Sequence, residues 1–280
     1  WKEVEKEMLK SVSHTIAGLA SAGAMAVSAF APGEARAETI DLGFGIDESG
    51  SISTSDFTLM NDGLAAALEL IPVPSDPSTD PTYRVSIVEF ATSASTLVGV
   101  TTIDTVAARN DVISSVNSNT QSGGFTAIGD SIKLLTDNFN SAGLGDTSIL
   151  NVGTDGSNNR GVSVATGATY ASDNDIDALS FEAVGSGAST TTLQAAAFPG
   201  TPVVTSDESG LPDDVLEDSF VFEVDNFGDF EDALKTKLTQ IIVDTGGDPD
   251  TGVVPLPASL PLLLSAFTGL YGIRRFRKSV

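Results

Sequence analysis

Cysteine is absent from this 280-residue chain, and histidine occurs once, at His14. A chain without thiols forms no disulfide and offers no cysteine nucleophile. His14 lies in a stretch that we expect to be removed, so the mature protein would also lack imidazole. Together these absences exclude Ser-His-Asp and Cys-His catalysis and the usual zinc ligand sets. The oxygen ligands that remain suit a hard divalent cation, Mg²⁺ first and Mn²⁺ or Ca²⁺ as alternatives.

Basic residues are scarce in the middle of the chain. Between Glu38 and Val254 there are six lysines and arginines against 34 aspartates and glutamates, which gives a net charge of −28. A surface this acidic repels nucleic acid and anionic lipid and attracts divalent cations. We therefore expect no nucleic-acid partner. With 41% hydrophobic and 19% charged residues, the chain is expected to form one large globular domain with processed ends.

Residues 1–37 have the features of a secretory signal peptide. A short basic region begins at Met8, an apolar stretch runs from Ile16 to Phe30, and Ala35-Arg36-Ala37 is an A-x-A cleavage signal. Because the sequence starts with Trp1, Met8 is the expected translation start. An amphipathic N-terminal helix is the alternative interpretation. The pattern favours export, with a mature chain that begins at Glu38.

The C-terminal end has a linker over residues 244–254, rich in glycine and proline, and then a short apolar run. Ala258–Ile273 is 16 residues long, which as a helix would span about 24 Å against a hydrocarbon core of about 30 Å. Arg274 and the basic residues after it would keep the extreme C-terminus cytoplasmic. The run is thus expected to hold the chain in the membrane only transiently.

The order of motif, apolar run and basic end resembles the PEP-CTERM sorting signal in its VPLPA-type form. Val254-Pro255-Leu256-Pro257-Ala258 carries the motif, with Leu256 where the commoner form has glutamate. The resemblance implies that an exosortase-type processing enzyme acts on residues 255–280, and that the membrane is a partner only before processing. A plain C-terminal anchor is the alternative. Either interpretation places the domain in the periplasm, at the cell surface or in the extracellular matrix.

Strand and helix patterns alternate along residues 38–243. They predict a doubly wound α/β fold with a mostly parallel sheet, one antiparallel edge strand and helices on both faces. The expected strands cover residues 40–46, 83–90, 95–102, 148–152, 179–184 and 220–224. Between them, helices are expected near residues 53–71, 106–116, 127–139, 162–171 and 191–197, and a last helix follows from residue 229. Ser53, with Asp56 three residues later, is expected to cap the first of these helices, and Asp104 is expected to cap the second.

Three short segments carry the candidate site. Asp47-Glu48-Ser49-Gly50-Ser51 follows the first strand, Gly123-Gly124-Phe125-Thr126 precedes a helix, and Asp155-Gly156 follows a later strand. In open α/β sheets, ligands bind at the carboxyl edge of the strands. Taken singly, the segments could be a strand end with a helix cap, an N-cap and a turn.

Together, in this order, the segments resemble the metal-ion-dependent adhesion site (MIDAS) of von Willebrand factor type A (vWA) domains. The resemblance covers residues 38–243. It implies that Ser49, Ser51 and Thr126 bind a cation through their hydroxyls, and that Asp47 and Asp155 bind it directly or through water. It also implies that Gly123 and Gly124 let the loop before Thr126 turn closely, as Gly156 does after Asp155.

The expected function is adhesion or binding without turnover. A cation held largely by neutral hydroxyls stays electrophilic toward one more ligand, such as a carboxylate on a protein or an acidic polysaccharide. Two other functions stay open. One is a structural, acidic matrix protein that divalent cations bridge and whose MIDAS is not functional. The other is a metal-dependent hydrolase, which would have only carboxylates or lysines as a general base.

Overall fold

The computed structural model describes residues 37–250, and a seven-stranded sheet runs through this part of the chain. The strands lie in the order β3-β2-β1-β4-β5-β7-β6, and every neighbouring pair is parallel except β2 and β3. Their bounds are β1 Thr39–Asp47, β2 Thr82–Phe90, β3 Ala94–Thr102, β4 Thr147–Thr154, β5 Ala178–Val184, β6 Val203–Thr205 and β7 Phe220–Val224. The expected sheet with one antiparallel edge strand is confirmed.

Helices cover both faces of the sheet. Their bounds are α1 Thr54–Leu68, α2 Val106–Asn117, α3 Ile128–Ala142, α4 Val164–Asp173, α5 Thr190–Gln194 and α6 Phe230–Asp244. The apolar sides of α1, α2 and α6 lie in one buried cluster, and those of α3, α4 and α5 lie in the other. The central strands of the sheet bury side chains on both faces, so each face needs a layer of helices. The two clusters are these two layers of the doubly wound fold.

Glycines in β1 let α3 approach the sheet closely. A Cβ atom at Gly43 would lie 3.1 Å from Cε2 of Phe139, and one at Gly45 would lie 3.5 Å from Oγ of Ser131. Both contact residues belong to α3. A side chain at Gly43 would press on Phe139 of this helix and on Leu150 of β4, whose Cδ2 would lie 2.5 Å from the added Cβ. One at Gly45 would first meet Val152 of β4, at 3.1 Å. The position of α3 matters for the site, because the loop just before this helix carries Thr126.

The order of the strands makes a crevice at the carboxyl end of β1. The chain passes from β1 to β2 on one side and returns through β4 on the other. In register, Asp47 lies beside Phe90 of β2, and Ile46 lies beside Gly153 of β4. Open α/β sheets bind ligands where the strand order reverses in this way. The loops after β1 and β4 therefore meet at one edge.

Two local features differ from the expectations. The three-residue strand β6 was not predicted, because its run of Val203–Thr205 is too short for an alternating pattern to emerge. The N-cap of α2 is Thr105, whose hydroxyl accepts from the Ala108 amide, and not the expected Asp104. The cap predicted for α1 is confirmed, since Ser53 accepts from the Asp56 amide.

The segments that we interpret as export and sorting signals lie outside the described residues. Within residues 37–250, no helix is both long and apolar enough to cross a bilayer.

Candidate metal centre

The five predicted ligand residues lie on three loops at the carboxyl edge of the sheet. Asp47 is the last residue of β1, and Ser49 and Ser51 follow on the turn into α1. Asp155 comes directly after β4, and Thr126 lies two residues before α3. Strand ends and helix starts therefore bring together residues that are far apart in the sequence.

Hydrogen bonds join the side chains of Ser49, Ser51 and Asp155, and Thr126 borders the same space. The Ser49 and Ser51 hydroxyls lie 2.9 Å apart, and Oγ of Ser51 donates to Oδ1 of Asp155 at 2.8 Å. A Cβ atom placed on Gly156 would be 3.7 Å from Oγ of Ser51 and 3.5 Å from Oγ1 of Thr126. Thr126 thus borders the same space as Ser51. Gly156 keeps this space open, since a side chain there would contact both hydroxyls.

The Asp47 carboxylate is fully buried and oriented by its neighbours. Its Oδ1 accepts from the Ser49 amide at 2.8 Å, and its Oδ2 accepts from the Thr154 hydroxyl at 2.6 Å. Burial raises the pKa of Asp47 to about 6, against the lowering effect of these hydrogen bonds, and the charge of Asp155 adds to the increase. Desolvation likewise raises the pKa of Asp155. The site therefore contains two carboxylates with raised pKa values.

A second buried aspartate in β1, unlike Asp47, is paired with an arginine. Asp41, at the amino end of the strand, is also fully buried, and Arg84 binds it through Nε at 2.6 Å and through a second guanidinium nitrogen at 2.8 Å. In the described part of the chain, no lysine or arginine makes an ion pair with Asp47 or Asp155. Because buried charge needs a counter-charge, a bound cation would do at Asp47 what Arg84 does at Asp41.

The donor set fits a hard cation. Residues 37–250 contain no cluster of three or more His, Cys, Asp or Glu side chains placed to hold a metal. The cluster instead combines two carboxylates with three hydroxyls, all of them oxygen donors of the kind that Mg²⁺ and Ca²⁺ bind. The hydroxyl of Thr126 makes no hydrogen bond within this part of the structure, so its lone pairs are available to a ligand.

Backbone hydrogen bonds join the loop after β1 to the loop that carries Thr126. The Gly50 amide donates to Gly124 O at 3.0 Å, and the Gly123 amide donates to Glu48 O at 3.0 Å. Gly123 and Gly124 have φ angles of +70° and +106°, a region that favours glycine. This confirms the expected turn before Thr126. Gly156 has no positive φ, so its role is the close approach described above and not a left-handed turn.

Glu48, inside the motif, points away from the cluster. It is 2% exposed, and its Oε2 accepts from the Ser122 amide at 3.2 Å. Burial and the neighbouring Glu48 raise the pKa of Glu89 on β2.

Three supporting residues were not predicted from the sequence. Thr154 orients Asp47, and Oδ1 of Asn159 accepts from the Thr126 amide at 2.8 Å. The side-chain amide of Gln121 donates to Ser49 O at 3.1 Å and to Ile52 O at 2.8 Å. Thr154 was detectable as the last residue of a strand beside a ligand, whereas Asn159 and Gln121 act through loop geometry that has no sequence pattern.

Comparisons with known proteins agree with this fold. Residues 37–245 match the family described as "Protein of unknown function (DUF1194)". No match to a curated protein was found.

Solved structures with the same fold include a matrix protein and bacterial proteins. Proximal thread matrix protein 1 of the mussel byssus superposes with a TM-score of 0.57 and 18% identity, over 74% of this chain and 49% of that one. A vWA protein from Catenulispora acidiphila gives 0.52 and 13%, over 72% and 42%. BatB from Bacteroides thetaiotaomicron gives 0.51 and 18%, over 72% and 97%. This chain thus spans about half the length of the mussel protein. The fold is vWA-like.

Proposed function

We infer that this chain, which belongs to the DUF1194 family, is a cation-dependent binding protein that acts outside the cytoplasm. The single observation that carries the proposal is the cluster at the carboxyl edge of the sheet. Three hydroxyls and two carboxylates with raised pKa values converge there, and no basic side chain of residues 37–250 makes an ion pair with Asp47 or Asp155. One structure of the mussel protein contains a zinc-occupied MIDAS motif, which supports the same use of the fold.

Each residue has a distinct part in the proposed centre. Ser49, Ser51 and Thr126 would give neutral oxygen ligands, and Asp47 and Asp155 would supply the negative charge. When bound, the cation supplies an electrophilic position for one further oxygen ligand. Two carboxylates at most neutralise its double charge, so an anionic partner group is favoured over a neutral one.

The partner group that fits this position is a carboxylate. The domain carries a net charge of −28 over residues 38–254, so an acidic partner is repelled everywhere except near a local positive charge. A cation at the cluster would provide that charge. We propose Mg²⁺ as the resident ion, since small hydroxyl and carboxylate ligands with room for water suit it.

Binding of the ion is tested by titrating Mg²⁺ into the purified chain and into the Ser49→Ala/Ser51→Ala variant by calorimetry. Ser53→Ala/Ser55→Ala is the matched control, because these two serines lie at the start of α1 and are linked to each other at 2.9 Å. The Ser49→Ala/Ser51→Ala variant should lose one Mg²⁺ site, and the Ser53→Ala/Ser55→Ala variant should keep it. Equal titrations of all three proteins would rule out the proposed centre.

A structural role is the second candidate, and the acidic composition is what favours it. In this case divalent cations would bridge exposed acids of neighbouring molecules, and the cluster would not bind a partner. Association in Ca²⁺ or Mg²⁺ that is unchanged in the Ser49→Ala/Ser51→Ala variant would favour this function. We propose binding over catalysis because residues 37–250 contain no histidine or cysteine to act as a general base or nucleophile.

Export is supported by the sequence signals at the two ends. We propose that the mature protein begins at Glu38 and loses the region beyond about Pro255, and that the membrane holds the chain only before this cleavage. Intact-mass analysis of the protein from its native envelope tests the proposal. An intact C-terminus at Val280 would favour the plain membrane anchor.

A further inference from the structure

We propose that Phe125 and Arg160 form a second contact point beside the metal centre, and that the partner is a protein segment with two acidic residues. One carboxylate would bind the cation, and the other would bind the Arg160 guanidinium while Phe125 packs against the intervening chain. This inference rests on the proposed function, since it assumes that the cation takes the first carboxylate.

Phe125 is a large aromatic residue on the surface of the domain. It is 54% exposed and is the one aromatic among the five large hydrophobic residues that are exposed in the described part of the chain. It comes directly before Thr126, one of the proposed ligands. Exposed aromatic side chains at a binding edge are typical anchors of protein interfaces.

Arg160 is the basic residue of this edge. Four of the six basic residues in the domain make ion pairs with carboxylates, namely Arg84, Arg109, Lys235 and Lys237. Lys133 places its ammonium 3.3 Å from the centre of the Tyr170 ring. Arg160 is exposed, makes no ion pair within residues 37–250, and lies with Cζ 5.7 Å from the centre of the Phe125 ring. Its guanidinium is therefore available to an external anion.

The backbone fixes both residues relative to the centre. Thr126 O accepts from the amides of Asn159 and Arg160, at 2.9 and 3.2 Å. The Phe125 amide donates to Oγ1 of Thr92 at 3.3 Å, and the Asn159 side chain holds the Thr126 amide. Phe125 and Arg160 are thus attached to the peptide groups around a proposed metal ligand. A contact point built this way loses little backbone conformational entropy on binding.

Charge and side-chain type together identify the partner. On a domain this acidic, a bound cation and Arg160 would be the two positive groups at this edge, so a partner with two carboxylates gains from both. Guanidinium binds carboxylate through two parallel hydrogen bonds, which adds geometric specificity. Phenylalanine and arginine are both enriched at protein–protein interfaces. We therefore assign an acidic peptide segment, and not a polysaccharide, to this surface.

The test uses fluorescence anisotropy with labelled Gly/Ser peptides that contain either one glutamate or two glutamates separated by one to four residues. In Mg²⁺, the best two-acid peptide should bind the chain about five- to tenfold more tightly than the one-acid peptide. Arg160→Gln should remove this preference while leaving the affinity for the one-acid peptide and the Mg²⁺-induced rise in melting temperature unchanged. Phe125→Ala should weaken both peptides. Lys133→Gln, the matched basic control, should alter none of these values.

The outcomes separate this inference from the proposed function. EDTA-sensitive binding with equal affinity for one- and two-acid peptides would overturn the inference and leave the cation-dependent function intact. Tighter binding of an oligogalacturonate than of any two-acid peptide would overturn the protein assignment, as would a Mg²⁺-induced melting shift without peptide binding. The absence of both the melting shift and EDTA-sensitive binding would overturn the two proposals together.

Discussion

The hydroxyl of Ser51 donates to Oδ1 of Asp155 across 2.8 Å, although 104 positions of the sequence separate the two residues. This bond connects the loop after β1 with the loop after β4, on the two sides of the crevice. It also brings the Asp155 carboxylate next to the second serine of the Asp47–Ser51 segment. Whether a cation binds between these loops should therefore depend strongly on Asp155.

Replacing Asp155 by asparagine should abolish most of the stabilisation that Mg²⁺ provides. A cation that binds only the folded state raises the free energy of unfolding by RT ln(1 + [L]/Kd), about 2.7 kcal/mol at a hundredfold excess over Kd. The amide introduced by Asp155→Asn would lack the negative charge that holds the ion. Thermal melts in Mg²⁺ and in EDTA measure the difference.

Asp111→Asn is the matched control for this experiment, because Asp111 is exposed on α2 and lies outside the cluster. It removes the same charge from the domain. If Asp111→Asn and Asp155→Asn lose equal parts of the Mg²⁺-induced shift, the ion is bound by the acidic surface in general.

The stabilisation by Mg²⁺ should increase as the pH rises from about 4 to above 6. The pKa of Asp47 is about 6 in the folded protein and 3.8 as its reference value, so between these values the folded state binds more protons than the unfolded state. In EDTA this group therefore lowers the free energy of unfolding as the pH rises, by roughly 3 kcal/mol in total if no other group compensates. A bound cation keeps Asp47 ionised and offsets the loss.

Urea unfolding at pH 5.0 and 7.5, with and without Mg²⁺, measures this dependence. The gain in unfolding free energy from Mg²⁺ should be larger at pH 7.5. A gain of the same size at both pH values would show that the ion does not compete with a proton at Asp47.

The parts of this structure that were predictable are those with a repeating or local pattern. The α1 cap at Ser53 and the glycines of β1 follow rules that a short window of sequence contains. The placement of the five proposed ligand residues at one edge of the sheet was also predictable, because each stands at or directly after a strand end, or just before a helix. Of the supporting residues, only Thr154 stands in such a place, at the end of a strand. Asn159 and Gln121 act on the cluster across loops whose paths no short-range pattern determines.

The ion pair of Lys237 with Glu182, inside the core, was also not predictable from the sequence. Nζ of Lys237 lies 2.8 Å from Oε1 of Glu182, and Asn151 donates to the other carboxylate oxygen at 2.7 Å. Both charged residues are almost completely buried, and burial lowers the pKa of Lys237. The sequence presents them as one charge on a helix and one on a strand, 55 positions apart.

Lys237→Met should lower the free energy of unfolding by about 3–5 kcal/mol, because it leaves the Glu182 carboxylate buried without a counter-charge. The double variant Lys237→Met/Glu182→Gln should recover a large part of this loss, since no unpaired charge remains. Urea unfolding measures both. A double variant as unstable as the single one would mean that the packing around Lys237, and not the charge, determines its effect.

Thr126→Ala should weaken partner binding without unfolding the domain. The hydroxyl caps no helix, since the N-cap of α3 is Ala127 without a side-chain bond, and the backbone bonds of Thr126 to Asn159 do not need it. The loss in unfolding free energy in EDTA should be about 1 kcal/mol, the cost of removing one methyl group, because Thr126 is buried. Affinity for the one-acid peptide in Mg²⁺ should fall at least tenfold.

Thr126→Ser keeps the oxygen and is the control for this substitution. It should retain most of the binding, whereas circular dichroism should give the same spectrum for all three proteins. Binding by folded Thr126→Ala that equals the wild type would remove Thr126 from the metal centre and would favour the structural matrix role.

The most direct test of the central claim is an anomalous difference map from a crystal of the chain soaked in Mn²⁺, which reports the position of the ion itself. The account predicts one dominant peak within about 2.0–2.3 Å of the Ser49 and Ser51 hydroxyls, at the distances that hard cations keep from oxygen ligands. Peaks on exposed acids alone, with none between Ser51 and Asp155, would contradict it.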